Sequence, residues 1–342
     1  MGQSSPESET NMELKQLGNS SVAVTPIAFG AWAIGGWMWG GAEEQAAIEA
    51  IRASFDAGIT TIDTAPVYGF GKSESLVGRA MEGIPRDKYQ ILTKYGLNWK
   101  TPEGEFHLDT TDGDGKPVRV FKNSSRTKVI QECEDSLKRL KTDYVDLFQI
   151  HWPDPTTPIQ ETMEAVATLI RQGKVRAAGV CNYAVTQVEE ALETLDIVSN
   201  QVPYSLVNRG IEKDVVPQAL KNGMSIIPYS PLQRGLLTGK IKRDHTFNEG
   251  DTRKGNKFYR AKNVDNVNKL LHAIKPIADA HGATLAQLVI NWTTRQPAMD
   301  CVLVGARDKT QVRDNVRALS FSLSDEELKM IRELSSKIIL VE

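Results

Sequence analysis

The chain has 342 residues, of which 40% are hydrophobic and 25% are charged, and its formal net charge is −2. This composition is ordinary for a globular protein. Because the charge is near zero, no overall field draws the protein to nucleic acid or to an anionic membrane surface, and neither is expected as a partner. The length allows two average domains, but barrels of more than about 250 residues are routinely single domains.

Cysteine and histidine usage excludes several kinds of site. Cys133, Cys181 and Cys301 are too few and too scattered for a disulfide framework or a CxxC pair. Reduced thiols in the cytoplasm are therefore expected. The histidines show no i, i+3 or i, i+4 spacing, and no apolar run reaches about 18 residues. The sequence thus predicts neither a metal site nor a membrane span.

The first eleven residues, MGQSSPESETN, contain no apolar stretch typical of a secretory signal. Pro6 stands where a myristoylation pattern needs serine or threonine. We therefore predict a disordered polar leader over residues 1–11 and one domain over residues 12–342.

Further along the chain, short apolar runs alternate with longer amphipathic stretches. Strands are predicted over 25–31, 60–64, 89–94, 144–151, 175–180, 197–202, 225–230 and 301–305. Helices are predicted over 43–57, 73–82, 125–141, 159–172, 185–195, 212–222, 265–281 followed by 284–295, and 308–317. Ser324 and Glu327 have the spacing of a capping box for a final helix.

Eight such alternations imply parallel strands joined by right-handed crossovers. At this length the pattern favours the α/β class and a single (β/α)8 TIM barrel with long loops on its C-terminal face. Chemistry in such barrels lies at the carboxyl ends of the strands. The polar residues at those ends are Asp63, Tyr68, Lys94, His151, Asn182, Gln201, Tyr229 and Ser230. The loop after the first strand is FGAWAIGGWMWGG, residues 29–41.

Four of these residues suggest acid–base chemistry. A free tyrosine has a pKa of about 10 and needs help to exchange a proton near neutral pH. The ammonium of Lys94 favours the phenolate of Tyr68, and Asp63 can hold that lysine charged. His151 can donate a hydrogen bond or relay a proton. A buried aspartate–lysine pair alone is often only structural, but four such residues at consecutive strand ends favour catalysis.

Two segments near the end of the barrel are candidates for binding a phosphate group. VGARDKTQVRDN, residues 304–315, links the eighth strand to its helix, a region where barrels often bind phosphate. A charged, solvated helix start also explains this pattern. The stretch 228–258 is a long, glycine-rich, basic loop, and loops of that length are usually functional or disordered.

Together these segments resemble the aldo-keto reductase family over about residues 12–335. The strings that carry the resemblance are GITTIDTAPVYG (58–69), LTKYG (92–96), DLFQIHWP (146–153), GVCNY (179–183), NQVPYSL (200–206), PYSPLQRGLLTGK (228–240) and VGARDKTQVRDN (304–315). The insertion at 98–125 is similar to the longer loop of bacterial and plant members near the stress-protein and potassium-channel β-subunit branches. Its polar part, FHLDTTDGDGKP, is predicted to be flexible and to need no contact with substrate.

The resemblance implies that Tyr68 is the general acid/base and that Lys94, Asp63 and His151 complete a tetrad. It also implies NADPH as the cofactor, with NADH weaker, bound without a Rossmann domain. The implied cofactor contacts are Gly30, Ala31, Trp32, Asp63, Cys181, Asn182, Gln201, Tyr229, Ser230, Pro231, Leu232, Arg234, Gly235, Leu237, Gly239, Lys240, Gly305, Arg307, Gln311, Asp314 and Asn315.

Individual roles follow from the same resemblance. Asn182 and Gln201 would hold the nicotinamide carboxamide, and Tyr229 would stack on the ring. Arg307 would meet the 2′-phosphate of NADPH, because a guanidinium favours a dianion. Cys181 stands where many relatives have serine, and a thiol is a weaker hydrogen-bond donor.

Trp32, Trp37, Tyr68 and His151 are predicted to contact the substrate, with Trp37 or Trp39 lining the carbonyl pocket. The predicted activity is the NADPH-dependent reduction of small aldehydes and ketones to alcohols by a cytoplasmic monomer. Two alternatives stay open: a redox-sensing regulatory subunit with very slow turnover, and a barrel aldolase that uses Lys94 as a Schiff-base nucleophile. The substrate also stays open among sugar-derived aldehydes, methylglyoxal and lipid-peroxidation aldehydes.

Overall fold

The computed structural model describes residues 12–39, 43–247 and 251–341. The predicted leader at 1–11 lies outside these ranges, as do Gly40 and Gly41 of the tryptophan-rich loop. The strands of the described part are β1 Lys15–Gln16, β2 Ala23–Val24, β3 Ile27–Gly30, β4 Thr61–Asp63, β5 Gln90–Tyr95, β6 Leu97–Asn98, β7 Glu105–Thr111, β8 Pro117–Lys122, β9 Val145–Ile150, β10 Val175–Cys181, β11 Ile197–Pro203, β12 Ser225–Tyr229 and β13 Val302–Gly305.

The helices alternate with the strands of the barrel over most of the chain. They are α1 Glu44–Asp56, α2 Lys72–Ala80, α3 Arg126–Leu140, α4 Ile159–Arg171, α5 Val185–Leu192, α6 Val215–Asn222, α7 Ala261–Ala280, α8 Leu285–Thr294, α9 Lys309–Val316 and α10 Asp325–Ser336. The capping box that opens α10 is present, since Ser324 and Glu327 each accept the other's main-chain N–H. Within the described ranges no helix is both long and apolar enough to cross a membrane.

Eight strands form a parallel sheet in the order β12-β11-β10-β9-β5-β4-β3-β13. The two end strands approach each other, because the main-chain N–H of Ile226 in β12 donates to the carbonyl of Ala298, just before β13, at 2.7 Å. The sheet therefore curls into a nearly closed barrel with helices outside it. The predicted (β/α)8 barrel is confirmed.

The barrel interior is filled by apolar side chains in its lower half. This inner cluster includes Ala28, Leu92, Leu147, Ala177, Ile227 and Leu303. The antiparallel pair β1–β2 adds Leu17, Val22 and Val24 to the same cluster, so it closes the amino end of the barrel. Gly18 lies so near β11 that a Cβ atom there would be 2.3 Å from the carbonyl oxygen of Val198. The sequence analysis did not predict this hairpin.

The insertion is ordered, contrary to the prediction of a flexible loop. Strands β6, β8 and β7 form a separate antiparallel sheet in that order. Apolar residues of this sheet, including Leu97, Leu108, Val118 and Val120, pack against aromatic residues at the mouth of the barrel. The insertion is therefore part of the wall around the carboxyl ends of the strands.

Candidate active site

Asp63 and Lys94 form a buried ion pair at the carboxyl end of the barrel. In β5 the side chains alternate, so that Leu92 faces the inner apolar cluster and Lys94 lies in the layer above it. The Lys94 Nζ atom donates to Oδ1 of Asp63 at 2.6 Å and to the carbonyl of Thr64 at 2.8 Å, and both charged side chains are almost fully buried. Burial opposes the charge of Lys94, but the Asp63 carboxylate outweighs it and the pKa of Lys94 is raised.

Tyr68 lies in the loop that follows β4, directly beside this ion pair. The Nζ atom of Lys94 is 4.9 Å from the centroid of the Tyr68 ring. A close backbone contact fixes the loop, because a Cβ atom at Gly69 would be 2.3 Å from the carbonyl oxygen of Gly35. Burial raises the pKa of Tyr68 to about 12, although the nearby Lys94 ammonium acts in the opposite direction. The hydroxyl is therefore protonated at neutral pH and can act as an acid.

His151, the residue after β9, completes the predicted tetrad. Its ring centroid is 5.6 Å from that of Tyr68, in an edge-to-face arrangement. Burial lowers the pKa of His151 well below its usual value, and the Lys94 charge and His107 lower it further. The imidazole is therefore neutral at physiological pH and keeps one N–H that can donate to a substrate oxygen. The structure thus brings together all four residues predicted to be catalytic.

Amide side chains surround the ion pair. Gln201 donates through Nε2 to Oδ2 of Asp63 at 2.9 Å and to Oε1 of Gln149 at 3.3 Å. Asn182 donates to the carbonyl of His151 at 3.1 Å and accepts from the hydroxyl of Tyr229 at 3.0 Å. These contacts place Asn182, Gln201 and Tyr229 in one layer above the inner apolar cluster, as their positions at strand ends predicted.

Gln149 belongs to the same layer, but the sequence analysis did not select it. The Nε2 atom of Gln149 is buried and has no hydrogen-bond partner within the described residues. The Sγ atom of Cys181 lies 3.9 Å from Oε1 of Gln149. The sequence did carry a signal for Gln149. Side chains two positions apart in a strand lie on the same face, so Gln149 shares the inward face of β9 with Leu147 and with His151 just after the strand.

The loop after β12 has an unusual backbone. Ser230, Gln233 and Arg234 have φ angles of 57°, 46° and 51°, and Gly235 has 95°. Asn182, after β10, also has a positive φ of 60°. Non-glycine residues held in this left-handed region cost about 1–3 kcal/mol each and concentrate at functional sites. The backbone of the predicted cofactor loop is therefore held in shape by its surroundings.

The three tryptophans of the first loop separate into two groups. Trp37 is buried against Phe70, and its Nε1 donates to Oγ1 of Thr110 in β7 at 2.9 Å. Trp32 instead lies between Trp39 and Tyr68, with ring centroids at 5.4 Å and 6.1 Å. Of the two tryptophans predicted to line the pocket, Trp37 thus lies against the sheet of the insertion, whereas Trp39 faces the arginines described next.

Arginines pack on the outer tryptophans. The guanidinium of Arg234 lies 5.0 Å from the ring of Trp32, and those of Arg253 and Arg307 lie 5.5 Å and 5.2 Å from the ring of Trp39. Arg307 also donates to the carbonyl of Trp39 at 3.3 Å. Arg253, paired with a carboxylate of the same loop, was not singled out from the sequence. Arg307 is exposed, Arg234 and Arg253 are half-buried, and guanidinium groups gathered in this way suit a phosphate.

The other predicted cofactor residues lie at strand ends, at the start of α9 and in the loop after β12. Gly30 and Gly305 are register partners in neighbouring strands, and the main-chain N–H of Ala31 donates to the carbonyl of Asp63 at 2.8 Å. Asn315 reaches the carbonyl of Gly305 at 3.3 Å, and the side chain of Gln311 accepts from the main-chain N–H of Arg307 at 3.0 Å. The remaining residues are distributed as follows: Pro231 is buried, Leu232 is half-buried, and Gly239, with a positive φ, ends the loop before the exposed Lys240.

Two further predicted contacts differ in exposure. The side chain of Leu237 is fully buried in the core outside the barrel, so only its main chain is available to a cofactor. Asp314 is exposed on α9. Family motifs mark segments, and within a segment the structure decides which side chains face the site.

Aromatic residues cluster beside Tyr68. Phe70, Trp99 and Trp152 pack around Trp37 and the sheet of the insertion. His107 of β7 lies 5.5 Å from the ring of Trp152. These residues and Tyr68 belong to one mainly apolar cluster with a few polar groups, a composition typical of sites for small organic ligands.

Comparison with known proteins agrees with this geometry. The model of the Aldo/keto reductase family matches residues 26–336. The chain is 36% identical over 330 residues to the aldo-keto reductase YhdN of Bacillus subtilis, covering 96% of this chain and 95% of that protein. It is 35% identical over 329 residues to the NADH-specific methylglyoxal reductase of Escherichia coli, covering 94% and 98%.

A plant relative and a solved structure extend the comparison. A probable voltage-gated potassium channel subunit beta of Oryza sativa is 31% identical over 319 residues, covering 90% of this chain and 91% of that protein. The structure of a glycerol dehydrogenase from Gluconobacter oxydans superposes with a TM-score of 0.85 at 36% identity, covering 95% of this chain and 96% of that one. The chain belongs to the aldo/keto reductase family.

Proposed function

We propose that this protein reduces small aldehydes and ketones to alcohols with NADPH, using Tyr68 as the general acid. Members of the family use nicotinamide cofactors. One observation carries the proposal: the ammonium of Lys94 is held 2.6 Å from the Asp63 carboxylate and 4.9 Å from the centre of the Tyr68 ring. Burial keeps the Tyr68 hydroxyl protonated, and the fixed positive charge of Lys94 stabilises the phenolate that forms when the proton is given up.

The reaction needs one hydride and one proton. The reduced nicotinamide, when bound, supplies the hydride to the carbonyl carbon. Tyr68 gives its hydroxyl proton to the carbonyl oxygen, and the ammonium of Lys94 stabilises the phenolate that remains. His151, held neutral by burial, donates its N–H to the same oxygen and so orients the carbonyl.

The side chains at the mouth of the barrel fit a dinucleotide. Gln149 has a buried amide N–H without an acceptor in the described residues, and it lies beside Gln201. Such a donor matches the oxygen of a carboxamide. Arg307 supports a preference for NADPH, because a guanidinium gains more from a phosphate than from a ribose hydroxyl. The NADH-specific relative makes the ratio of NADPH to NADH turnover a necessary measurement.

The Tyr68→Phe variant tests the proposed role of Tyr68. We expect kcat for aldehyde reduction to fall about 10²- to 10⁴-fold, because the variant has no proton to donate. The Kd for NADP⁺, measured by tryptophan fluorescence, should stay near that of the wild type. Tyr89→Phe is the matched control, since Tyr89 is buried beside Arg86, away from the carboxyl end of the barrel. A Tyr68→Phe protein with wild-type kcat would refute the role of Tyr68.

A redox-sensing subunit with very slow turnover is the second candidate. The potassium-channel β-subunit relative favours this alternative. Absorbance of NADPH followed with a panel of small aldehydes separates the two functions, since a sensor would bind the cofactor and turn over at negligible rates. A Schiff-base aldolase is less well supported, because Lys94 is held as an ammonium by Asp63 and an amine must be neutral to attack a carbonyl.

The cellular setting belongs to the same proposal. All three cysteines are buried and free, in accord with a reducing compartment. We therefore propose that the protein acts in the cytoplasm. We also propose, from the resemblance to the family, that it acts as a monomer on a small carbonyl substrate.

A further inference from the structure

The turn formed by Gln233, Arg234 and Gly235 is the most strained part of the loop after β12. The three residues have φ angles of 46°, 51° and 95°. Only the glycine adopts such angles without steric cost. Two consecutive non-glycine residues in this region therefore need contacts that hold them there.

The hydroxyl of Tyr259 supplies such contacts. It donates to the main-chain carbonyl of Gln233 at 2.6 Å and lies 3.1 Å from that of Arg234. The two strained residues thus share one donor, which lies more than twenty positions away in the sequence. Burial raises the pKa of Tyr259, so the hydroxyl stays protonated and remains a donor throughout the working pH range.

Tyr259 is itself firmly anchored. It ends a short 3-10 turn, Lys257–Tyr259, in which Asn256 caps the main-chain N–H of Phe258 at 3.0 Å. Asn263, in the first turn of α7, is fully buried and donates to the carbonyl of Lys257 at 2.7 Å. Asn263 also bonds both the N–H and the carbonyl of Val341, at 2.8 Å and 2.9 Å. The C-terminal segment and α7 therefore support the position of Tyr259.

The turn held by Tyr259 leads directly to the candidate active site. The guanidinium of Arg234 packs 5.0 Å from the ring of Trp32, which lies 6.1 Å from the ring of Tyr68. Arg253 donates to the carbonyl of Arg234 at 3.3 Å, so this carbonyl has a second donor from the same loop. The backbone angle at Arg234 decides where its side chain points, and Tyr259 contributes to fixing that angle.

We propose that Tyr259 is a positioning residue for the nicotinamide dinucleotide, acting by holding the Gln233–Gly235 turn in the shape that receives the cofactor. The proposal rests on the proposed function, which assigns this loop to the cofactor. The hydroxyl of Tyr259 contacts main-chain carbonyls of the turn, so the loop's own side chains give no sign of this role. A pre-shaped loop binds more tightly, because less ordering remains to be done on binding.

The Tyr259→Phe variant removes only the hydroxyl. We expect the Kd for NADP⁺ and the KM for NADPH to rise about tenfold, the effect of losing one buried hydrogen bond. At saturating NADPH, the KM for the aldehyde should stay unchanged and kcat should not fall. Tyr89→Phe is again the matched control. Amide hydrogen exchange should become faster over residues 230–240 in the Tyr259→Phe protein and nowhere else.

The outcomes are distinguishable. Unchanged Kd and KM for the cofactor would overturn the role of Tyr259 and leave the proposed function intact. A lower melting temperature without any change in cofactor binding would show that the hydroxyl serves stability alone, and would also overturn it. Wild-type protein that binds neither NADP⁺ nor NAD⁺ would overturn both proposals.

Discussion

Tyr68 and His151 carry opposite pKa shifts from the same cause, burial at the mouth of the barrel. Burial raises the pKa of Tyr68 to about 12 and lowers that of His151 well below its usual value. Both residues are therefore uncharged at neutral pH, while Lys94 keeps its charge through Asp63. A neutral donor pair around one fixed cation suits a reaction in which negative charge develops on a carbonyl oxygen.

These shifts predict different pH profiles for the two directions of the reaction. In the proposed mechanism, reduction needs protonated Tyr68 and neutral His151, so kcat for aldehyde reduction should be nearly constant between pH 6 and 9. Alcohol oxidation needs ionised Tyr68 as a base, and below its pKa that fraction increases about tenfold per pH unit. Steady-state rates in both directions measure the two profiles. A loss of reduction below pH 7 that disappears in His151→Gln would contradict a neutral His151.

At the scale of elements, the insertion has a larger part in the site than its polar sequence suggested. Its strand β7 supplies the acceptor for Trp37, the tryptophan predicted to line the substrate pocket. An indole N–H held at 2.9 Å by Thr110 fixes the ring in one orientation. The separate sheet thus holds the ring of a proposed substrate-binding residue.

Thr110→Val tests this connection. Valine preserves the shape of threonine but cannot accept the Trp37 hydrogen bond, so the indole loses its fixed orientation. We expect the KM for bulky aldehydes to rise about three- to tenfold, the effect of one lost hydrogen bond, with the KM for NADPH unchanged. Thr111→Val is the control, because Thr111 is the exposed neighbour in β7. Equal KM values for bulky aldehydes in the two variants would show that the orientation of Trp37 does not affect substrate binding.

The barrel elements were predictable because each of their strands is a short apolar run between turn signals, and parallel strands buried on both faces have that pattern. The hairpin β7–β8 also carried a signal: Asp114-Gly115 is a turn dipeptide between runs rich in threonine and valine. This signal was missed because most residues of the segment are polar, which is also typical of a loop. The pair β1–β2 could not be predicted, since two-residue strands have no periodicity and exist through their contacts with the barrel.

The residues of the candidate site also divide into those that the sequence predicted and those that it did not. Residues at strand ends, such as Asp63 and Lys94, were predictable because the fold brings every strand end to one face. Tyr259 and Arg253 were not, since they lie in or after a long loop and act on residues about twenty positions away. Contacts between loops depend on backbone angles such as that of Arg234, which the residue type does not encode.

At the scale of the whole molecule, the barrel separates stability from chemistry along its axis. Its amino half is filled by the apolar inner cluster and closed by β1–β2, and its carboxyl half holds the charged and amide side chains. The inner cluster has no carboxylate or cationic group among its members, and burial raises the pKa of its Cys301 thiol, whereas the upper half contains the buried ion pair. Changes at the base should therefore alter the free energy of unfolding without altering the reaction.

Leu17→Ala examines this separation. Leu17 is fully buried in the inner cluster, so its truncation leaves a cavity and should lower the free energy of unfolding by about 2–5 kcal/mol. At 25 °C the folded variant should retain wild-type kcat and KM, because Asp63, Lys94 and Tyr68 lie at the other end of the barrel. Leu14→Ala, at a half-exposed position in the same segment, should change stability by less than about 0.5 kcal/mol. Denaturant unfolding and steady-state kinetics measure the two properties independently. A Leu17→Ala enzyme that stays folded yet loses kcat would mean that packing at the base sets the geometry of the ion pair, and that the two halves of the barrel are coupled.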